Sequence, residues 1–227
     1  MDGTQDVLSQ APLFEALDDE GSKALRSCMR DVRLTRGQTL FAEGDDGDRL
    51  YVVLDGKIKL TRTAPDGREN LLSVLGPGEM FGELSLFDPR PRTASAIAVT
   101  ECRLAAVAHD ELRPWLDKSP QVAVTLLGAL ARRLRRANDV MADLVFTDVP
   151  GRVAKALLDL AERFGKQTDD GLHVHHDLTQ EELAQLVGAS RETVNKALAD
   201  FAGRGWIRIE ARAVVILDID RLKRRAR

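Results

Sequence analysis

The spacing of apolar residues changes twice along this chain, and each change limits what its segment can become. From Val32 to Val107 short runs such as "DRLYVVLDGKIKL" and "RTASAIAVT" are separated by glycine-bearing turns. Runs of this length and composition read as strands, and several at this spacing imply a β-roll or sandwich. Asp55-Gly56 and Asp66-Gly67 each lie between two such runs, which is how hairpins read. A helical lead-in, "QDVLSQAPLFEALDDEGSKALRSCM", is expected to pack against the strands.

After Pro120 the period becomes about three and a half. Leu127, Leu130, Leu134, Ala137, Met141 and Leu144 step 3-4-3-4-3, an a/d seam on one long helix. Arg132, Arg133, Arg135 and Arg136 surround that seam and leave no broad apolar face for a monomer core. The seam therefore reads as a dimer contact, against the alternative of a helix packed on its own domain. In "FTDVPGRVAK", Asp148 can cap and Pro150 suits a first helical turn, so a fresh helix runs to Phe164. The boundary, near residues 146–149, is expected to act as a hinge.

The third pattern is two short helices and a strand pair. Thr179 and Glu182 have the spacing of a capping box, Leu183, Leu186 and Val187 give an inner face, and Gly188 ends the first helix. Ser190 caps a second helix through Phe201 on which Val194, Leu198 and Phe201 face inward. Two helices joined by a tight glycine turn are a helix-turn-helix, and "WIRIEARAVVIL" adds a hairpin behind it, the winged form.

The first outward turns of the second helix carry Arg191, Glu192, Asn195 and Lys196. Arg191 can give two donors to guanine, Glu192 can accept from cytosine, and Lys196 can reach a guanine or a phosphate. Ser190 and Thr193 would hold phosphates and fix the register. The same residues also fit the solvated face of an ordinary amphipathic helix. An upstream dimer seam favours DNA, because a two-fold dimer presents two such helices roughly 34 Å apart.

Other classes are poorly supported. No apolar run approaches the roughly 20 residues of a spanning helix, and the N-terminus has no basic-then-apolar signal pattern, so no membrane partner and a cytoplasmic location are expected. Cys28 and Cys102 form no CxxC pair, and four-thiolate iron-sulfur ligation is excluded. His173, His175 and His176 lack the carboxylate or thiol that would complete a metal site. Cys28, Cys102 and His109 are too scattered for haem ligation, and no Ser-His-Asp set or Walker sequence indicates an enzyme. Trp115 and Trp206 read as packing residues. The basic end "RLKRRAR" fits either DNA phosphates or simple solvation.

"GELSLFDPRPRTASA", Gly82 to Ala96, places an arginine among small residues, either a solvated charge or one wall of an anion pocket. This stretch is similar to the phosphate-binding cassette of the CRP/FNR family of bacterial transcription regulators. "LTQEELAQLVGASRETVNKAL" resembles the recognition motif of its cyclic-AMP receptor proteins, and runs such as "APDGRENLL" and "LARRLRR" are similar to the Crp/GlxR type. The likeness extends over essentially the whole chain. It implies an α+β architecture: a cyclic-nucleotide-binding β-roll (jelly roll) over residues 1–109, a dimerisation helix over 110–147 and a winged helix-turn-helix over 148–227.

The resemblance also implies a pocket of Gly82, Glu83, Leu84, Ser85, Arg92 and Thr93. Arg92 offers a planar fork to a phosphate, Glu83 can accept a ribose hydroxyl proton, and glycine lets backbone amides approach closely. Ser85 and Thr93 add hydroxyls. In the Crp branch two neighbouring polar side chains of the dimer helix meet the adenine amino group. Here those positions are Ala137 and Asn138, so only Asn138 can bond the base. Losing one such bond gives up about 0.5–1.5 kcal/mol, which weakens a preference for cyclic AMP over cyclic GMP without reversing it. The resemblance thus implies a cyclic-AMP-responsive homodimer on double-stranded DNA of TGTGA-like palindromic sequence, with RNA polymerase as partner when it activates. Ala137 also fits a second reading, a DNA-binding dimer largely independent of nucleotide, whose pocket only tunes affinity.

Overall fold

The structure is a computed structural model that describes residues 7–15 and 17–227; Gln5, Asp6 and Ala16 of the expected lead-in lie outside them. The chain divides into two compact units, one reaching Arg68 and continuing from Leu72 to Arg135, the other made of Glu69–Leu71 and Arg136–Arg227.

The first unit is a β-roll. Strands β1 (Arg30–Leu34), β2 (Thr39–Phe41), β3 (Arg49–Asp55), β4 (Ile58–Thr63), β5 (Glu69–Leu75), β6 (Met80–Phe81), β7 (Ser95–Ala98) and β8 (Cys102–Ala108) form two four-stranded sheets, ordered β1-β8-β3-β6 and β2-β7-β4-β5. Strand β3 shows why the roll closes. Successive side chains of a strand point to opposite faces. Tyr51 and Val53 join the cluster of Ile58, Leu60, Phe81, Ala96 and Leu104 between the sheets. Leu50, Val52 and Leu54 meet a helical cover instead, where helices α1 (Pro12–Glu15) and α2 (Asp19–Cys28) bury Leu13, Phe14 and Leu25. The lead-in therefore packs as its sequence implies.

One hairpin expectation needs correction. Asp66-Gly67 does join neighbouring strands, with Gly67 N donating to Ala64 O (2.9 Å) and Ala64 N to Arg68 O (2.8 Å). Asp55-Gly56 instead sends the chain from one sheet to the other, because β3 pairs with β8 and β6 while β4 pairs with β7. Gly56 is needed for that crossing: its φ is +82°, and a Cβ would stand 2.1 Å from Glu101 O.

Helices α3 (Leu84–Phe87) and α4 (His109–Lys118) precede α5 (Pro120–Phe146), the long helix. Val122 and Leu126 of α5 are buried against the roll. Beyond them Leu127, Leu134 and Met141 are 58%, 64% and 61% exposed, and Phe146 is 85% exposed. These residues form an open apolar stripe on a charged helix.

In the second unit α6 (Val149–Phe164), β9 (Gly165–Thr168), β10 (Gly171–His175), α7 (Gln180–Val187), α8 (Arg191–Gly203), β11 (Ile207–Glu210), β12 (Ala213–Ile216) and α9 (Ile219–Arg225) enclose one core. Leu157, Leu160, Leu183, Val194, Leu198, Phe201 and Leu222 fill it, and the sheet order is β11-β12-β10-β9. Trp206 stacks on Phe201 at 5.4 Å between ring centroids, so it packs, as its sequence context suggests.

The segment 146–149, read from sequence as a hinge, is cross-braced inside this unit. Asp143 accepts from Lys155 and from Thr147 Oγ1. Asp148 accepts from Gly151 N at 3.0 Å and pairs with Arg225 at 2.5 Å. Arg152 donates to the carbonyls of Thr147, Val187 and Gly188. The backbone around this segment is held by charged side chains whose hydrogen bonds are charge-assisted. The division between the compact units falls earlier, between Arg135 and Arg136.

Candidate functional site

Two sites emerge, one in each unit. In the β-roll, β6 pairs with β3 through Tyr51 and Val52, then Gly82 turns the chain with a φ of +84° into α3. A side chain at Gly82 would come 2.8 Å from both Arg49 O and Arg92 Nη1, so glycine is required on steric and conformational grounds. Arg92 enters from the loop before β7, its own N–H bound to Asp45 O (2.8 Å) and its carbonyl to Gly44 N (2.9 Å).

Arg92 is only 6% exposed. Its Nη1 donates to Gly82 O (3.0 Å) and Ser85 Oγ (3.1 Å), and its Nη2 to Arg49 O (2.8 Å). It lies over the Phe41 ring at 4.3 Å, one face of a Phe41, Tyr51, Phe81 aromatic cluster. Among the described residues its Nε is buried with no partner, and Arg92 has no ion pair. Burial pulls its pKa below the ordinary arginine value, with the neighbouring Tyr51, Asp48 and Glu83 opposing that pull. A buried cation satisfied only by carbonyls and a hydroxyl is costly unless an anion completes it.

Glu83 is equally enclosed at 2% exposed. Its Oε1 accepts from Arg133 Nη1 at 2.8 Å, while its Oε2 is buried with no partner. A carboxylate with one oxygen held and one unengaged is an acceptor for a ligand hydroxyl. Ser85 is buried and donates to Gly82 O at 3.2 Å. The amides of Leu84 and Ser85 open a helix and have no carbonyl four residues back within it. Gly47 completes the cradle: a Cβ there would stand 2.2 Å from Ser85 Oγ.

The structure thus gathers Gly82, Glu83, Ser85 and Arg92 at one point. Leu84 is 45% exposed and Thr93 is exposed, and the Thr93 hydroxyl has no hydrogen-bond partner among the described residues. Asn138 and Ala137 are exposed on α5, in the second unit. Sequence reasoning missed Arg133, which it placed beside a seam and which here engages Glu83. It also missed Phe41, Tyr51, Arg49 and Gly47. Only Gly47, in "DDGDR", left a trace in the sequence, a glycine where a turn alone would accept other residues.

The second site is built on α7 and α8. Thr179 caps α7 in a reciprocal capping box with Glu182, and Gly188 closes it in the left-handed conformation (φ 70°, ψ 44°). Asp177 lies before the helix with a φ of +61°. Ser190 then caps α8, its Oγ accepting from Thr193 N at 3.2 Å and meeting Thr193 Oγ1 at 2.8 Å. Val194, Ala197, Leu198 and Phe201 are buried, and Ser190, Arg191, Glu192, Thr193 and Lys196 are exposed. Glu192 and Lys196 pair at 2.7 Å, whereas Arg191 has no partner among the described residues. Asn195, expected to face outward, is half-buried with Oδ1 enclosed and unbonded. Its position is one residue after Val194 and three before Leu198, which puts it at the rim of the inner face.

Comparison with known proteins follows the same division. A cyclic nucleotide-binding domain model matches residues 31–119, and a Crp-like helix-turn-helix domain model matches residues 151–225. A CRP-like cAMP-activated global transcriptional regulator of Mycobacterium tuberculosis is 58% identical, over 98% of this chain and 99% of that protein. This chain belongs to the CRP family of transcription regulators. A cyclic AMP receptor protein of Thermus thermophilus is 38% identical over 92% of this chain and 95% of its own. A solved CRP/FNR-family regulator from the same organism aligns with a TM-score of 0.73 and 30% identity, over 87% of this chain and 98% of that one. The CRP fold, a β-roll, a long helix and a helix-turn-helix, is thus the fold found here, and the relatives are regulators of transcription, not enzymes.

Proposed function

We propose that this CRP-family protein is a homodimeric regulator that binds cyclic AMP in the β-roll and a TGTGA-type palindrome through α8. Residues 1–109, 110–147 and 148–227 serve as effector domain, dimer helix and DNA-binding domain. The observation that carries the reading is the pairing of two incomplete buried charges: Arg92 lacks an anion and Glu83 Oε2 lacks a donor. A ribose 3′,5′-cyclic phosphate supplies both, one anionic phosphate and one free 2′-hydroxyl. The curated relatives named above, described as cAMP-activated or as a cyclic AMP receptor, support the same ligand.

Cyclic AMP supplies no reaction; it acts by differential binding. Arg92 and Ser85 hold its phosphate, with Thr93 at the rim, and the amides beside Gly82 and Leu84 complete that wall. Glu83 takes the ribose hydroxyl through Oε2, and Arg133 on α5 fixes the carboxylate for it. The ion pair between Glu83 and Arg133 links the cassette to the helix that carries the dimer stripe and Asn138, the adenine contact. The exposed stripe of Leu127, Leu134 and Met141 supports dimerisation, since each is more than half exposed in a single chain. Bases are read by Arg191, Glu192, Asn195 and Lys196, and phosphates are held by Ser190 and Thr193. RNA polymerase is the partner at activated promoters, and the site of action is the cytoplasm.

Base reading is tested at Arg191, the cation of α8 with no internal partner. Arg191→Ala is expected to cost about 1–3 kcal/mol on the palindrome and to relax discrimination at one base position. The check is affinity for a set of palindromes varied one position at a time. A uniform loss across all of them would make Arg191 a phosphate contact and leave base reading to its neighbours.

A further inference from the structure

The basic C-terminal helix has no role in the function proposed so far, yet it is firmly built. Asp218 caps α9 by accepting from Arg221 N at 2.9 Å. Leu222 and Ala226, four residues apart, are 0% and 8% exposed and lie in the core of the second unit. Arg225 pairs with Asp148. This anchoring turns Lys223, Arg224 and Arg227 outward: all three are exposed, and none has a side-chain hydrogen bond or ion pair among the described residues. Elsewhere on the unit's surface Lys196, Arg204 and Arg208 are each neutralised by a carboxylate, while Lys166, Arg191 and Arg212 are unpaired among the described residues but lie singly and not as a cluster within five residues.

The place of this charge is informative. Arg225 binds Asp148, the cap of α6, and its Nη1 lies 3.3 Å from where a Cβ on Gly151 would stand. The next residue, Arg152, donates to Val187 O and Gly188 O, the turn that leads into Ser190 and α8. The two anchor points on α6, Asp148 and Arg152, are about 6 Å apart along the helix axis. The end of α9 and the entry to the base-reading helix are therefore fastened to the same first turn of α6.

We propose that Lys223, Arg224 and Arg227 form a second DNA contact surface that grips backbone phosphates flanking the segment read by α8. Three unpaired cations on a helix anchored beside the entry to α8 match the one surface that presents regularly spaced anions there, a duplex backbone. They contribute affinity and salt dependence without base discrimination. The inference rests on DNA binding through α8 as proposed above.

The test is the triple variant Lys223→Gln, Arg224→Gln, Arg227→Gln in the full chain, beside Arg191→Ala and wild type. Binding to a labelled TGTGA palindrome and to a scrambled duplex of equal length is measured over a series of salt concentrations with cyclic AMP present. The triple variant is expected to weaken binding to both duplexes by the same factor, and the slope of log affinity against log salt falls by about 0.9 for each contact removed. The triple Lys223→Arg, Arg224→Lys, Arg227→Lys restores both values and an unchanged unfolding midpoint accompanies all variants. A slope equal to wild type, or a loss confined to the palindrome, overturns the proposal. If Arg191→Ala weakens binding while the triple Gln variant does not, the α9 surface alone is wrong; if wild type binds neither duplex, the α8 reading falls first.

Discussion

Arg92→Leu is expected to abolish cyclic AMP binding while leaving the β-roll folded. Two charge-assisted hydrogen bonds to a phosphate contribute about 1.5–3 kcal/mol each, so their loss weakens binding by roughly 10²–10⁴-fold. The fold tolerates the change because the free protein gains little from this cation. Arg92 is 6% exposed, unpaired by any carboxylate and held by neutral acceptors. The leucine removes a charge whose burial is costly without an anion beside it. Gly82 O keeps its bond from Ser85 Oγ, so Arg49 O is the main acceptor left unmet. Titration calorimetry paired with thermal unfolding checks both halves. Retained affinity in the leucine variant removes Arg92 from the pocket.

Leu134→Glu with Met141→Glu is expected to convert the dimer into folded monomers. Both side chains are more than 60% exposed in the single chain, so a carboxylate at either costs the monomer little. A two-fold seam would bring each new charge near its own counterpart in a water-excluding contact, where an unpaired ion costs several kcal/mol. Sedimentation equilibrium at micromolar concentration should give the single-chain mass of 25.0 kDa. Palindrome affinity then falls by about 10²–10⁴-fold, because two linked half-sites become two independent ones. A variant that remains dimeric would place the interface elsewhere than on the stripe of α5.

Local patterns in the sequence carried far. The inner face of α8 follows from Val194, Leu198 and Phe201, the cap from Ser190, and the turn from Gly188, all within a few residues of one another. Asn195 was misread because the rim of a helical face is decided by what packs over it. Asp55-Gly56 marks a turn correctly, but which strands pair is settled by β3 meeting β8, about fifty residues later in the chain. The same holds for the pocket. "GELSLFDPRPRTASA" contains Glu83 and Arg92, whereas the groups that decide their chemistry, Arg49, Phe41 and Arg133, come from distant segments. The bracing of 146–149 is hidden for a related reason: the proline and the cap of α6 are local signals, whereas Arg152 reaches Val187 and Gly188 and Asp148 is met by Arg225.

The central claim is that nucleotide in the β-roll sets the affinity of α8 for DNA, and ligand can do this only if it binds the DNA-competent arrangement more tightly than the other. The direct measurement is a DNA-affinity titration on a TGTGA-type palindrome at one fixed salt concentration, with no nucleotide, with cyclic AMP and with cyclic GMP. The account predicts a clear gain with cyclic AMP and a smaller one with cyclic GMP, because Asn138 alone selects the base. Tight binding that is indifferent to either nucleotide would contradict it and leave the pocket as a minor tuner of a constitutively competent dimer.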